Sequence, residues 1–127
     1  MNKIILVGAG GGIGAVLRYI ISGSVQKWIQ IDNFPHGTLT VNLAGCLLIG
    51  MLLRMDEVGN IFSNEIRLFL LVGILGAFTT FSTFSNETVN LMNDKRFYLA
   101  FLNIGIHFIF GLGAVLLGRV LICFIWR

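Results

Sequence analysis

Charged residues are scarce in this chain. Only 12% of its 127 residues are Asp, Glu, Lys or Arg, whereas 56% are hydrophobic. Soluble domains carry about 25% charged residues, so the composition excludes an ordinary soluble protein and predicts a membrane protein. The net charge of +3 is small and the basic residues are scattered, which excludes the clustered basic footprint of a nucleic-acid-binding protein.

Cysteine and proline are also scarce. The two cysteines, Cys46 and Cys123, both lie in apolar runs, which predicts buried free thiols rather than a disulfide framework. The only proline, Pro35, lies in the polar stretch of residues 32–37 and predicts a turn there. No clear cleavage site follows the N-terminal apolar run, so we expect it to be a retained span rather than a signal peptide.

Four apolar segments fill most of the chain. A membrane helix needs about 20 residues, so the sequence predicts an all-α membrane protein with a single transmembrane domain over residues 1–127. The predicted spans are residues 4–31, 38–53, 66–91 and 97–126. Trp28 and Trp126 fall where interfacial tryptophans are expected.

Glycines are frequent near the N-terminus. Gly10, Gly12 and Ala15 match the G-x-G-x-x-A pattern of a dinucleotide-binding loop, but the chain continues into apolar spans instead of alternating strands and helices. Packing explains these glycines better, because small residues let membrane helices approach closely. The G-x-x-x-G pairs are residues 10 and 14, and residues 8 and 12.

Polar residues are concentrated inside the third span, at residues 73–85. This segment contains two glycines and five hydroxyl residues, and such polarity in a membrane helix indicates that something polar passes or binds there. Glycine and β-branched threonine are poor helix formers, so we predict a break in the third helix near mid-membrane. After the break, Phe81 and Phe84 share one helix face.

Three further polar side chains lie within apolar spans. Asn42 in the second span either bonds a neighbouring helix or faces a pathway, and the sequence does not decide between these. Asn103 and His107 are four residues apart in the fourth span and share a face. For this pair the favoured interpretation is an interhelical hydrogen bond, because no second histidine or acid supports a metal site there.

Acidic side chains are missing from the middle of the first, second and fourth spans. Glu87 is the only acid near a span interior, which argues against proton-coupled export of cations. Hydroxyl and amide donors and positive phenyl edges remain, a lining that suits a small, hard anion. Arg18 either snorkels to the interface or forms an electropositive mouth that attracts anions.

The basic residues that set membrane orientation are evenly divided. The side with both termini clearly carries three, and so does the opposite side, while three more lie within spans. Chance in a small count explains this balance, but so does dual topology, in which the same chain inserts in both orientations. The two clear sets are Lys3, Arg54 and Arg127, and Lys27, Lys95 and Arg96.

The sequence resembles the Fluc fluoride channels, also called CrcB-like proteins, over nearly its whole length. The resemblance is carried by residues 11–19 (GGIGAVLRY), residues 37–42 (GTLTVN), Gly45, and residues 73–85 (GILGAFTTFSTFS). The last motif is highly specific. The resemblance implies an antiparallel, dual-topology homodimer of four-helix subunits in the lipid bilayer, which conducts fluoride ion passively and rejects chloride. The even charge count agrees with such an assembly.

The resemblance also implies roles for particular residues. Phe81 and Phe84 would contact fluoride through their ring edges, and Asn42 would be the pore asparagine. Gly76 and Thr79 would offer backbone carbonyls from both subunits to one structural sodium ion (Na+). The polar track would consist of Ser82, Thr83 and Ser85, with Arg18 near an aqueous vestibule.

The expected function is therefore export of cytoplasmic fluoride through the bacterial inner (cytoplasmic) membrane by a channel that is not an enzyme. One alternative is a small dual-topology multidrug-type exporter of cationic compounds, which would need Glu87 as its titratable group. Another is an assembly protein whose polar residues only hold helices together. The sequence assigns no role to Asn103, His107 or Glu87.

Overall fold

The structure is a computed structural model that describes residues 2–29 and 33–126. Within these residues it contains four helical segments that are long and apolar enough to cross a membrane. The predicted all-α membrane class is therefore confirmed. The four segments are Asn2–Trp28, His36–Gly59, Asn64–Asn93 and Phe97–Ile125.

The first two spans are the helices α1 (Asn2–Trp28) and α2 (His36–Gly59). The predicted end of the first span, at residues 30–31, lies outside the described residues. Helix α2 is longer than the predicted span 38–53, because its polar C-terminal turns remain helical as far as Asn60, which ends the helix in the left-handed conformation (φ 45°).

The third span consists of several pieces. It begins with α3 (Asn64–Arg67), continues as a π-helix (Leu68–Leu75) and a short helix α4 (Gly76–Phe78), and resumes as α5 (Phe81–Asn93). The N–H of Gly76 reaches the carbonyl of Leu71, five residues earlier, which is the hydrogen bond of a π-helix. Between α4 and α5, Thr79 (φ −87°, ψ 156°) and Thr80 (φ −150°, ψ 116°) are extended.

The fourth span is the continuous helix α6 (Phe97–Ile125), which packs mainly against α2. Glycines allow this approach: a Cβ on Gly50 would lie 3.0 Å from the Cα of Val115, and a Cβ on Gly118 would lie 2.9 Å from the backbone nitrogen of Met51. The two helices therefore pack with their backbones almost in contact, as small residues permit in membranes.

Glycines also bring α1 against the π-helix. A Cβ on Gly73 would lie 2.9 Å from the Cα of Gly10, and a Cβ on Gly14 would lie 2.9 Å from the carbonyl carbon of Ile74. The packing interpretation is thus confirmed for Gly10 and Gly14. It does not extend to Gly8 and Gly12, where a Cβ would meet nothing within 4 Å in the described chain, because this second pair lies on another face of α1.

Gly14→Ala is expected to destabilise the protein, because the added methyl group meets the rigid backbone of Ile74. Overpacking of this kind costs about 1–3 kcal/mol. The matched control is Gly12→Ala, whose methyl group has open space and improves helix propensity by about 0.5–1 kcal/mol. The unfolding midpoint in detergent, followed by size-exclusion chromatography after heating, checks this. Equal midpoints for both variants would contradict the packing account.

Two ion pairs place Arg67 and Arg119 at the membrane end where helix α2 terminates. Arg67 pairs with the buried carboxylate of Asp56 at 2.6 Å, and Arg119 pairs with Glu57 at 2.7 Å. Both arginines, whose side was ambiguous in the sequence, therefore lie at this end. Arg18 is nearer the opposite end, since it lies in the second half of α1. Among the described residues the division is four against four: Lys3, Arg54, Arg67 and Arg119, against Arg18, Lys27, Lys95 and Arg96.

Candidate functional site

Asn42 of α2 holds the extended residues of the third span. Its side-chain amide donates to the carbonyl oxygen of Thr80 at 3.1 Å, and its Oδ1 accepts from the N–H of Thr80 at 2.8 Å. Both backbone polar groups of Thr80, a buried residue, are thus satisfied by one side chain. An extended residue inside an apolar helix bundle requires such a partner, because unpaired backbone groups are costly there.

Thr80 in turn caps helix α5. Its hydroxyl oxygen accepts from the N–H of Thr83 at 3.2 Å, donates to the Thr83 hydroxyl at 2.9 Å and lies 3.3 Å from the Ser82 hydroxyl. Threonine is a favoured N-cap residue because its side chain satisfies a free N–H of the first turn. The local sequence therefore ends one helix and starts the next within two residues.

Three aromatic rings form a column beside this cap. The ring centroids of Phe81 and Phe84 are 5.6 Å apart at an interplanar angle of 47°, and those of Phe84 and His107 are 4.4 Å apart at 44°. Tilted pairs place the positive edge of one ring near the negative face of the next. Phe84 is 7% exposed, whereas Phe81 is 75% exposed, so the column runs from the interior of the chain to its surface.

The hydroxyl groups near the column differ in the hydrogen bonds that they still have available. Ser85, which is partly buried, donates to the carbonyl of Phe81 at 2.9 Å. Thr83 accepts from Thr80, so its own hydroxyl hydrogen has no acceptor among the described residues. Ser82 and Thr83 are both exposed. Because the single hydroxyl hydrogen of Thr80 goes to Thr83, Ser82 is the donor in its 3.3 Å contact with Thr80. Thr83 is therefore the one of the three with a donor left to offer to a ligand.

A second polar link joins α2 to α5. Thr38 donates to Oε1 of Glu87 at 2.7 Å, and Oε2 of Glu87 is buried without a partner among the described residues. The two residues are 49 positions apart, and the sequence did not connect them. Thr38 is buried, so the only acid near a span interior is tied to a neighbouring helix.

A cavity of about 470 Å³ opens beside the extended residues. It lies between α2, the third span and α6, and its wall is mostly apolar. Asn42, Thr79 and Thr80 supply polar atoms to this wall, and Phe81 lies at its rim. The lining residues from α6 are His107, Phe108, Gly111, Leu112 and Val115.

The backbone carbonyls of Gly76 and Thr79 lack their usual helical donors. In a continuous helix, Gly76 would accept from the N–H of Thr80 and Thr79 from the N–H of Thr83. Those two N–H groups instead donate to the side chains of Asn42 and Thr80. Two oxygen acceptors are therefore released at the interruption, and Gly76 is exposed. Among the described residues, no three His, Cys, Asp or Glu side chains group as a metal site.

Arg18 lies apart from these groups in α1. It is one helical turn beyond Gly14, and residues four apart share a helix face. Since Gly14 meets the backbone of Ile74, Arg18 lies on the side of α1 that turns toward the third span. Its side chain is partly exposed.

Comparison with known proteins identifies the family. The family model described as "CrcB-like protein, Camphor Resistance (CrcB)" matches residues 5–119. The chain belongs to the CrcB-like family. It is 44% identical over 119 residues to "Fluoride-specific ion channel FluC 3" of Methanosarcina barkeri, with 94% of this chain and 89% of the relative covered.

Other CrcB-like relatives match over the same length. The chain is 45% identical over 124 residues to "Fluoride-specific ion channel FluC" of Shewanella loihica, covering 96% of this chain and 97% of the relative. It is 42% identical over 126 residues to the protein of that name from Methanococcus maripaludis, covering 99% and 100%. The chain therefore spans most or all of the length of these relatives.

The structure brings together some of the residues predicted for the site of this CrcB-like chain. Asn42, Phe81, Phe84, Ser82 and Thr83 surround the interruption. Sequence reasoning missed Thr80 as the partner of Asn42 and His107 as the neighbour of Phe84. The interhelical hydrogen bond expected for Asn103 and His107 is made by Asn103, whose amide donates to the hydroxyl of Thr88 at 2.9 Å. The expectation is wrong for His107, whose Nδ1 bonds to the carbonyl of Asn103 in its own helix.

Proposed function

We propose that this protein is a fluoride-selective passive ion channel that lowers cytoplasmic fluoride. The supporting observation is the agreement between its relatives, named fluoride-specific ion channels at 44–45% identity over nearly the whole chain, and a site of hydroxyl donors and phenyl edges beside a cavity with no lysine or arginine among its described lining residues. Such a site binds a small, hard anion well enough to dehydrate it but not tightly enough to trap it, as conduction requires.

The pathway runs along the first turns of α5. Thr83 donates a hydrogen bond to the ion, Ser82 does so when its hydroxyl turns away from Thr80, and Ser85 extends this polar track toward Glu87. Phe81 and Phe84 present ring edges, whose partial positive charge replaces part of the hydration shell. Asn42 keeps one amide hydrogen for the ion while it holds Thr80. Arg18 raises the local concentration of anions at the entrance.

Passive conduction is sufficient for fluoride export. Hydrogen fluoride is a weak acid that crosses lipid uncharged and dissociates in a near-neutral cytoplasm. A negative-inside membrane potential then favours exit of the anion by about 2.3 kcal/mol per 100 mV. The channel acts in this way only in the membrane that carries the potential, so we place it in the bacterial inner (cytoplasmic) membrane.

The working unit is an antiparallel, dual-topology homodimer. Phe81 is 75% exposed beside exposed hydroxyl groups, and the cavity next to it opens at the surface of the single chain. Four helices can hardly enclose a polar pathway, so a second copy is needed to cover this face. The even division of basic residues allows both orientations. Labelling of a single engineered cysteine, in a variant that lacks Cys46 and Cys123, from both sides of the membrane tests this, and labelling from one side alone contradicts it.

The released carbonyls of Gly76 and Thr79 fit a structural sodium ion shared by the two subunits. Hard cations prefer oxygen ligands, and interrupted membrane helices bind sodium through unwound carbonyls. The ion would supply charge that holds the two interruptions together. A higher melting temperature of the dimer in sodium salts than in choline salts is the expected sign, and equal temperatures would contradict it.

Fluoride efflux from liposomes distinguishes the channel from the cation exporter. Vesicles loaded with potassium fluoride should release fluoride only after valinomycin provides a path for potassium, because passive anion flow stops once a potential builds up. No pH gradient should be required, and Glu87→Gln should leave the dependence on valinomycin unchanged. Absence of fluoride release, together with transport of an organic cation that needs a pH gradient and disappears in Glu87→Gln, would support the exporter instead.

A further inference from the structure

Asn103 and His107 of α6 both turn toward α5, although the channel proposal gives them no part. Asn103 is 0% exposed, and its amide donates to the hydroxyl of Thr88 at 2.9 Å. Thr88 donates in turn to the carbonyl of Phe84 at 2.8 Å. A chain of hydrogen bonds therefore runs from α6 to the backbone of the buried pore phenylalanine.

His107 contacts the same phenylalanine through its side chain. Its ring lies 4.4 Å from the Phe84 ring, centroid to centroid, and its Nδ1 lies 2.9 Å from the backbone carbonyl oxygen of Asn103. A carbonyl oxygen only accepts hydrogen bonds, so Nδ1 carries the proton. The bond fixes both the orientation of the imidazole and its tautomer, as second partners of histidine usually do.

We propose that His107, braced by Asn103, is a positioning residue that holds the Phe84 ring at the angle needed to present its edge to the ion. This inference rests on the proposed channel function. His107 acts through Phe84, whose carbonyl accepts from Thr88 and whose ring lies between those of His107 and Phe81.

The use of polar residues in this place supports a positioning role over ordinary packing. Nε2 of His107 and Oδ1 of Asn103 are buried with no partner among the described residues, which costs stability in an apolar bundle. An apolar side chain would fill the same space without that cost. The polar atoms that do have partners are those that orient the imidazole and link α6 to Phe84.

Three substitutions at His107 separate the ring from its hydrogen bond. His107→Phe keeps a ring beside Phe84, His107→Gln keeps a donor without a ring, and His107→Ala keeps neither. Ile109→Ala is the control, because Ile109 lies on α6, is 70% exposed and does not line the cavity. Fluoride efflux per dimer is measured for each variant after size-exclusion chromatography.

We expect His107→Ala and His107→Gln to lose about tenfold or more of the efflux rate. His107→Phe should lose less than these two, because it keeps a ring beside Phe84, but should be slower than the unaltered protein, because it loses the bond that orients the ring. Efflux from His107→Ala equal to that of Ile109→Ala would overturn the proposal. If His107→Ala does not form a dimer, the other two decide: faster efflux from His107→Phe than from His107→Gln supports it, and any other order overturns it. Absence of efflux from the unaltered protein would instead refute the channel function.

Discussion

Phe84→Ile and Phe81→Ile are each expected to lower fluoride efflux by at least roughly tenfold while the dimer survives. Isoleucine keeps an apolar side chain of comparable bulk but has no aromatic edge with partial positive charge. In a homodimer each substitution removes two rings, and at about 1 kcal/mol for each ring contact the rate should fall by at least roughly tenfold. Efflux is measured with a fluoride electrode, and the dimer by size-exclusion chromatography.

Phe124→Ile is the matched control for these variants. Phe124 lies near the end of α6, is 75% exposed and does not line the cavity, so its replacement should leave the efflux rate unchanged. Normal efflux in both Phe81→Ile and Phe84→Ile would refute the roles assigned to the two rings. Loss of efflux in Phe124→Ile as well would show that the assay reports general damage to the protein.

Asn42→Ala is expected to impair both stability and conduction. It removes the acceptor for the N–H of Thr80 and the donor to its carbonyl, and each buried polar group left unpaired costs about 1–3 kcal/mol. The extended backbone at Thr79 and Thr80 then loses its support, and with it the placement of Phe81 and Phe84. We expect a free energy of unfolding lower by about 2 kcal/mol and efflux reduced by about tenfold or more.

Thr40→Ala provides the comparison for Asn42→Ala on the same helix. The Thr40 hydroxyl donates only to the carbonyl of His36 within α2, so its loss should change stability and efflux little. Guanidinium-induced unfolding in detergent and the efflux assay are run on both variants. An Asn42→Ala protein that unfolds and conducts as Thr40→Ala does would contradict the bracing role.

Hydrophobicity and motif spacing predicted the parts of the fold that depend on local sequence. The four spans follow from apolar length, and the shared face of Phe81 and Phe84 follows from their spacing of three residues. The close approach of α1 and the third span follows from the G-x-x-x-G pair at Gly10 and Gly14. Gly8 and Gly12 have the same spacing, but a Cβ on either would meet nothing within 4 Å among the described residues. Spacing alone therefore does not tell which face of a helix is covered.

Contacts between distant residues could not be predicted from the sequence. Asn42 and Thr80 are 38 positions apart, and Asn103 and Thr88 pair only through the register of α5 against α6. The partner of each of these residues depends on how the helices pack. A single polar residue in an apolar run does not show which helix lies against it. The π-helix of residues 68–75 could not be predicted either, since residues 68–72 are uniformly apolar and Gly73 indicates a weak point in the helix without specifying a π-helix.

The most direct test of the channel account is ion efflux from liposomes that contain the purified protein, followed by fluoride and chloride electrodes in parallel. With valinomycin present, the account predicts fast loss of fluoride and chloride release no greater than from protein-free vesicles. Comparable release of both ions would contradict selectivity by phenyl edges and hydroxyl donors. Absence of fluoride release from protein shown to be folded and dimeric would contradict the channel itself.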